Sequence, residues 1–126
     1  MAFLSDNILD NGLSYAASNG TRVDICSQEP ATYTEATSTY TLGNVTGLTV
    51  GSPEDGDTSG RKVVIPAIAN TAGTVTGTGT ASHWALTKPT ATTELLASNA
   101  LDSTQAVTSG NTWGLPATDI TLPDPA

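Results

Sequence analysis

Few residues of this chain could do chemistry, and their types limit what that chemistry would be. His83 is its one histidine and Cys26 its one cysteine. A thiol beside an imidazole can form a nucleophile–base pair, because the imidazole draws off the thiol proton. Such a pair also needs a group that orients the base, and a cysteine in a strand more commonly fills a core. Serines are plentiful, so one near His83 carries little weight, and no GxSxG elbow is present. A glycosidase requires two carboxylates in a cleft lined by aromatics. Here aromatics make up 5% of the chain and the acids cluster in loop-like stretches. One cysteine and one histidine do not make a zinc site. The chain is therefore expected to be non-enzymatic and to use no cofactor.

The one stretch that could bind an ion is Glu54-Asp55-Gly56-Asp57-Thr58-Ser59. Closely spaced carboxylates and hydroxyls around a glycine turn can supply hard oxygen ligands, which is what calcium requires. The spacing departs from the twelve-residue EF-hand loop. An ordinary solvated acidic turn, or a turn paired with Arg61 and Lys62, uses the same residues. Glu54, Asp55 and Asp57 are thus the candidate calcium ligands, against a bland reading as a charged loop.

Charge narrows the partners. The chain has 126 residues, a net charge of −8 and four basic side chains: Arg22, Arg61, Lys62 and Lys88. Four bases cannot make a stripe that tracks phosphates, which argues against nucleic acid. No run of about 18 apolar residues exists to cross a membrane. The first residues, MAFLSDNILDNG, carry acids where a signal peptide carries bases, so synthesis in a cytoplasm is expected. Leu, Ile, Val and Phe together make up roughly 19% of the residues, near the level below which charged chains fail to fold. The expected core is thin, and such a domain gains stability from packing against copies of itself or a larger scaffold.

The elements that must position these residues read as mainly β. Leu4, Ile8, Leu9 and Leu13 fall on one helical stripe, capped by Ser5 or Asp6. A short helix is expected over 6–17, closed by Asn19-Gly20 and weakened at Asn11-Gly12. It either lies across one end of the domain or forms an arm that docks on a neighbour. Residues 21–27 alternate as a half-buried strand, and 28–40 read as a long loop or an edge strand. Residues 41–50 form one strand or two short pieces. Val63-Val64-Ile65 is the strongest apolar run, limited to an edge or ended by Pro66.

In 74–80, four threonines occupy one face and Val75, Gly77 and Gly79 the other, which reads as a strand whose glycines admit a bulky neighbour. Burying both Val75 and Trp84 on one face then requires a bulge or break near Gly79. Short strands follow at 94–97 and 105–107, a turn at Ser109-Gly110-Asn111 leads back into Thr112-Trp113, and 118–122 alternate as a closing strand. About seven or eight short strands at this spacing imply an antiparallel β-sandwich with a short N-terminal α-helix. The expected organisation is a helix or arm at 1–20, the β-sandwich at 21–122 and an extended tail at 123–126.

The strand and turn patterns TASHWAL, ELLASNALDSTQAVTSGNTW and ATDITLPDPA, with RVDICSQEPATYTEA near the start, resemble a group of small tailed-phage virion proteins. The resemblance covers roughly residues 5 to 124. It departs at Lys88-Pro89, where the group carries an acidic turn. It implies a virion structural protein, either a capsid decoration (cement) protein bound to the major capsid lattice or a tail or head-fibre component for anchoring or receptor binding. It also implies a homo-oligomer, often a trimer, located on the virion; the small size, acidity, low aromatic content and lack of fibrous repeats favour the capsid surface over the tail. The interface candidates are Leu4, Ile8 and Leu9 on the helix, Tyr33 and Tyr40 in the long loop, and Thr76 and Thr78 in the threonine strand.

Overall fold

The computed structural model describes residues 6–123, with side chains from residue 10 onward. Leu4 and residues 124–126 of the expected tail lie outside the described residues, and of Ile8 and Leu9 only the helical backbone is described.

The fold is mainly β and sandwich-like, with two curled antiparallel sheets and one short helix. The helix α1 is Asp6–Asn19. The strands are β1 (Arg22–Cys26), β2 (Thr41–Val45), β3 (Glu54–Asp55), β4 (Arg61–Ile65), β5 (Ile68–Val75), β6 (Gly79–Lys88), β7 (Glu94–Val107), β8 (Thr112–Leu115) and β9 (Thr118–Leu122). Six form one sheet in the order β7-β6-β1-β2-β5-β8, and three form the other in the order β3-β4-β9.

Period-two alternation decides what each face of β1 and β6 touches. Val23 pairs with Leu86 and Ile25 with Trp84, and all four point into the core between the sheets. Arg22, Asp24 and Cys26 pair with Thr87, Ala85 and His83 on the opposite face. From the smaller sheet, Val63 and Ile65 close the core with Ile120 packed against them. Pro66 ends β4 directly after Ile65, yet β4 is the central strand of its sheet, not an edge.

Several expectations are corrected. The helix runs unbroken through Asn11-Gly12 and on to Asn19. Leu13, 2% exposed, anchors it in the core, and Arg61 Nε donates to Asp10 Oδ1 at 2.8 Å. These tertiary contacts outweigh glycine's cost of about 1 kcal/mol. The described part of the helix thus lies across the domain.

Residues 28–40 are neither plain loop nor edge strand, for they contain a π-helix over Glu35–Thr39. Glu35 N–H donates to Thr32 Oγ1 at 3.1 Å, and Glu35 Oε1 accepts from Ala31 N–H at 2.7 Å. Tyr40 N–H closes the turn on Glu35 O at 2.8 Å.

Residues 74–80 are not one strand. β5 ends at Val75 and β6 begins at Gly79, so the chain breaks at 76–78. That break lets both Val75 and Trp84 enter the core. Gly77 and Gly79 do admit a bulky neighbour, the side chain of Leu42. The two short strands expected at 94–97 and 105–107 are one continuous strand of 14 residues. It absorbs the intervening polar stretch as a bulge, with 101–104 opposite Ser82 between the pairs Ala81–Gln105 and His83–Ala100.

Candidate functional site: an open seam beside two tryptophans

The residues singled out for catalysis are brought side by side. Cys26 and His83 are register partners on β1 and β6. The Cys26 thiol is fully buried and donates to Ala36 O at 3.5 Å. Burial, and secondarily the charge of Asp24, push its pKa up to about 12, with Arg22 opposing. A thiol this basic is a poor source of thiolate. His83 Nδ1 lies 2.8 Å from Ser82 Oγ, which donates its proton to Ser27 O at 3.0 Å. With its proton directed at that carbonyl, the hydroxyl is placed to accept from His83 in the tautomer that carries its proton on Nδ1.

The acidic turn is committed to cations. Arg61 binds Asp10 and, at 2.6 Å, Asp55. Lys62 Nζ lies 2.8 Å from Asp57, 3.1 Å from Asp119 and 3.9 Å from Glu54. The hydrogen bond from Lys62 holds the Asp57 carboxyl below its ordinary pKa, and these acids in turn raise both bases. Glu54 and Asp55 stand in β3 opposite Lys62 and Arg61, so their register points them at the bases. Among the described residues no group of three or more His, Cys, Asp or Glu comes together to hold a metal. The structure thus pairs this turn with Arg61 and Lys62.

The loop tyrosines help seal the outer face of the larger sheet. Tyr40 packs on the cluster of Cys26, Ala36 and Ala85, and its hydroxyl lies 3.4 Å from Glu35 Oε2. Tyr33 is half-buried, and its carbonyl accepts from Thr37 Oγ1 at 2.8 Å. Beneath this flap lies a fully buried acid that the sequence did not single out. Asp24 accepts from Arg22 Nε at 2.7 Å, from Arg22 Nη2 at 2.9 Å and from Thr41 Oγ1 at 2.7 Å. An Asp flanked by Val23 and Ile25, with Arg22 on its own face of an alternating strand, was the available signal. Thr76 and Thr78 brace a neighbouring turn, with Ser109 N–H donating to Thr78 Oγ1 and Ser109 Oγ to Thr76 O.

What sequence reading missed is a cleft of about 570 Å³ along β7. The turn over 108–111 brings the chain back as expected, but β8 pairs with β5, not β7. Trp113 is the cause. Its indole lies over Gly73 and close to Gly43, where any Cβ would collide with it, and Nε1 donates to Thr74 O at 3.2 Å. Gly110 N–H donates to Val75 O and Asn111 O accepts from Val75 N–H, which completes the attachment to β5.

β7 and β8 therefore splay apart and leave the curled sheet open. Ile25, Ala81 and Trp84 of the core form the floor of that seam, and Asn99, Asp102 and Gln105 lie on its β7 wall. The bulge at 101–104 projects Asp102 and Ser103 into the wall, a common use of bulges beside binding sites. Among the described residues, no lysine, arginine or histidine lines the cleft.

In comparison with known proteins, the chain matches no family model, no curated protein and no solved structure.

Proposed function

We propose that this chain is a non-enzymatic structural protein of a tailed-phage virion, a decoration protein that binds the major capsid lattice and stabilises the head. The observation that carries the binding role is β7. It is the longest strand, it is an edge, and none of its 14 residues is buried. It carries Glu94 and Asp102 but no Lys, Arg or Pro, so it lacks two devices that commonly keep edge strands from pairing. Its bulges bend it, yet no strand pairs with its outer side among the described residues. An edge of this kind is a template for association.

The virion address is supported by the resemblance of the strand and turn patterns. The homo-oligomer, a trimer by the same resemblance, fits a thin core that gains from added contacts. Binding across capsomer boundaries buries further area, and shifts the shell toward its assembled state by mass action.

The test is add-back of the purified chain to capsids stripped of it, with capsid heat resistance and copies per virion as readouts. Binding at lattice-scale copy number with a gain in heat resistance is the expected result. Failure to bind, with recovery of the chain in isolated tails, sinks the decoration role and assigns the tail or head-fibre role.

A further inference from the structure

Three of the four sheet edges converge on the seam. The larger sheet ends at β7 and β8, the smaller at β3 and β9, and residues of β7, β8 and β9 all line the same cleft. Each of these strands pairs on one side only among the described residues, β7 with β6, β8 with β5 and β9 with β4. Their second sides present backbone N–H and C=O groups that a further strand would satisfy.

Charge identifies the occupant. Asp102 has no cationic partner among the described residues, whereas Asp119 at the rim is already paired with Lys62. A second copy of the chain has little to answer Asp102 with. Its Arg22 is held by Asp24, its Arg61 by Asp10 and Asp55, its Lys62 by Asp57 and Asp119, and its Lys88 sits over the Tyr15 ring at 5.8 Å.

We infer that the seam accepts an extended basic segment of a different protein, added as a strand along β7. Alternate side chains of that segment enter the seam and meet Ile25, Ala81 and Trp84, while a lysine or arginine meets Asp102. This inference rests on the virion-binding reading and names the partner chemistry of its edge strand.

The test uses the full-length chain against a displayed random library of peptides about ten residues long. Both tryptophans of the chain line the seam, so intrinsic fluorescence reads it directly. Enriched peptides should alternate apolar residues and carry Lys or Arg. A synthetic copy of one should shift tryptophan emission and slow amide exchange over residues 99–107. Asp102→Lys, at an exposed position, should weaken it about tenfold. Glu29→Lys, exposed on the far loop, should not. No basic alternating enrichment, or equal loss in both variants, overturns the inference. So does a shift of tryptophan emission by maltohexaose but not by peptides. Capsid binding without peptide binding removes this inference alone, whereas peptide binding without capsid binding removes the decoration role alone.

Discussion

The two faces of the six-stranded sheet are finished differently. On the outer face, residues 28–40 fold back as a flap over Asp24 and Cys26, whose hydrogen-bonding needs are met. Asp24 is wholly buried with Arg22 and Thr41 around it, Arg22 Nη2 reaches Thr37 O at 3.5 Å, and Cys26 donates to Ala36 O. On the inner face, β7 and β8 stop short of each other, and core residues form the floor of an open cleft. Where the chain supplies its own cover, it can afford a buried charge, because every partner is local and fixed. Where it leaves the sheet open, it exposes backbone edges and an acid with no base beside it. The sealed side should behave as a stability element and the open side as a recognition element, and variants can separate the two.

The largest effect is expected under the flap. Asp24→Ala leaves Arg22 and the Thr41 hydroxyl without their acceptor and should cost about 3–5 kcal/mol. Urea unfolding measures this, and a loss below about 1 kcal/mol would show that the outer face is not sealed by this network.

Next is the wall of the seam. Gly73→Ala drives a Cβ into the Trp113 indole and should cost about 1–3 kcal/mol, with a red shift of tryptophan emission. Unchanged emission would mean that Trp113 does not hold β8 to β5.

A third prediction is alkaline. The folded Cys26 pKa is raised to about 12 from an ordinary value of 9.0. Between these values the unfolded chain has lost the thiol proton and the folded chain keeps it. This contribution is complete below pH 9 and falls by about 1.4 kcal/mol per unit as pH rises toward 12. Cys26→Ala should flatten that part of the stability–pH curve, and identical curves would contradict burial of the thiol.

Thr87 offers a smaller change of opposite sign. Its hydroxyl is buried without a hydrogen-bond partner among the described residues. Thr87→Val keeps the shape and removes the orphan group, so the unfolding free energy measured in urea should hold or rise, by about 1 kcal/mol at most. A clear drop would place a hidden partner there.

The smallest effect belongs to the acidic turn. Lys62→Met removes ion pairs with exposed acids and should lower the melting midpoint only slightly, less at high salt. The Asp57 carboxyl is held low by Lys62, so its contribution is present near neutrality and is lost as pH falls through its folded pKa. Calcium should leave the wild-type melting midpoint unchanged, and a rise would reopen Glu54, Asp55 and Asp57 as ligands.

Much of the fold was legible because local pattern sufficed. The alternation of Val23 and Ile25, the Val63-Val64-Ile65 run stopped by Pro66, and the conflict between Val75 and Trp84 each placed an element or a break correctly. Thr32-Tyr33-Thr34-Glu35 has the spacing of a helix-capping box, so the turn inside the flap was also readable, although 28–40 read as loop or strand.

The seam was of another kind. Ser109-Gly110-Asn111 followed by Thr112-Trp113 is a good signal for a turn, and the turn forms. Whether the strands beside it pair is settled by where a distant surface fits Trp113 best. That surface is made by Gly73 and Gly43, far away along the chain. By itself the sequence determined the mainly β class, most strand positions, the short helix and the pairing of acids with Arg61 and Lys62 as one option for the turn. Only tertiary structure decided which edges stay open, because strand partners are chosen by side-chain fit across the core and not by neighbours in the chain.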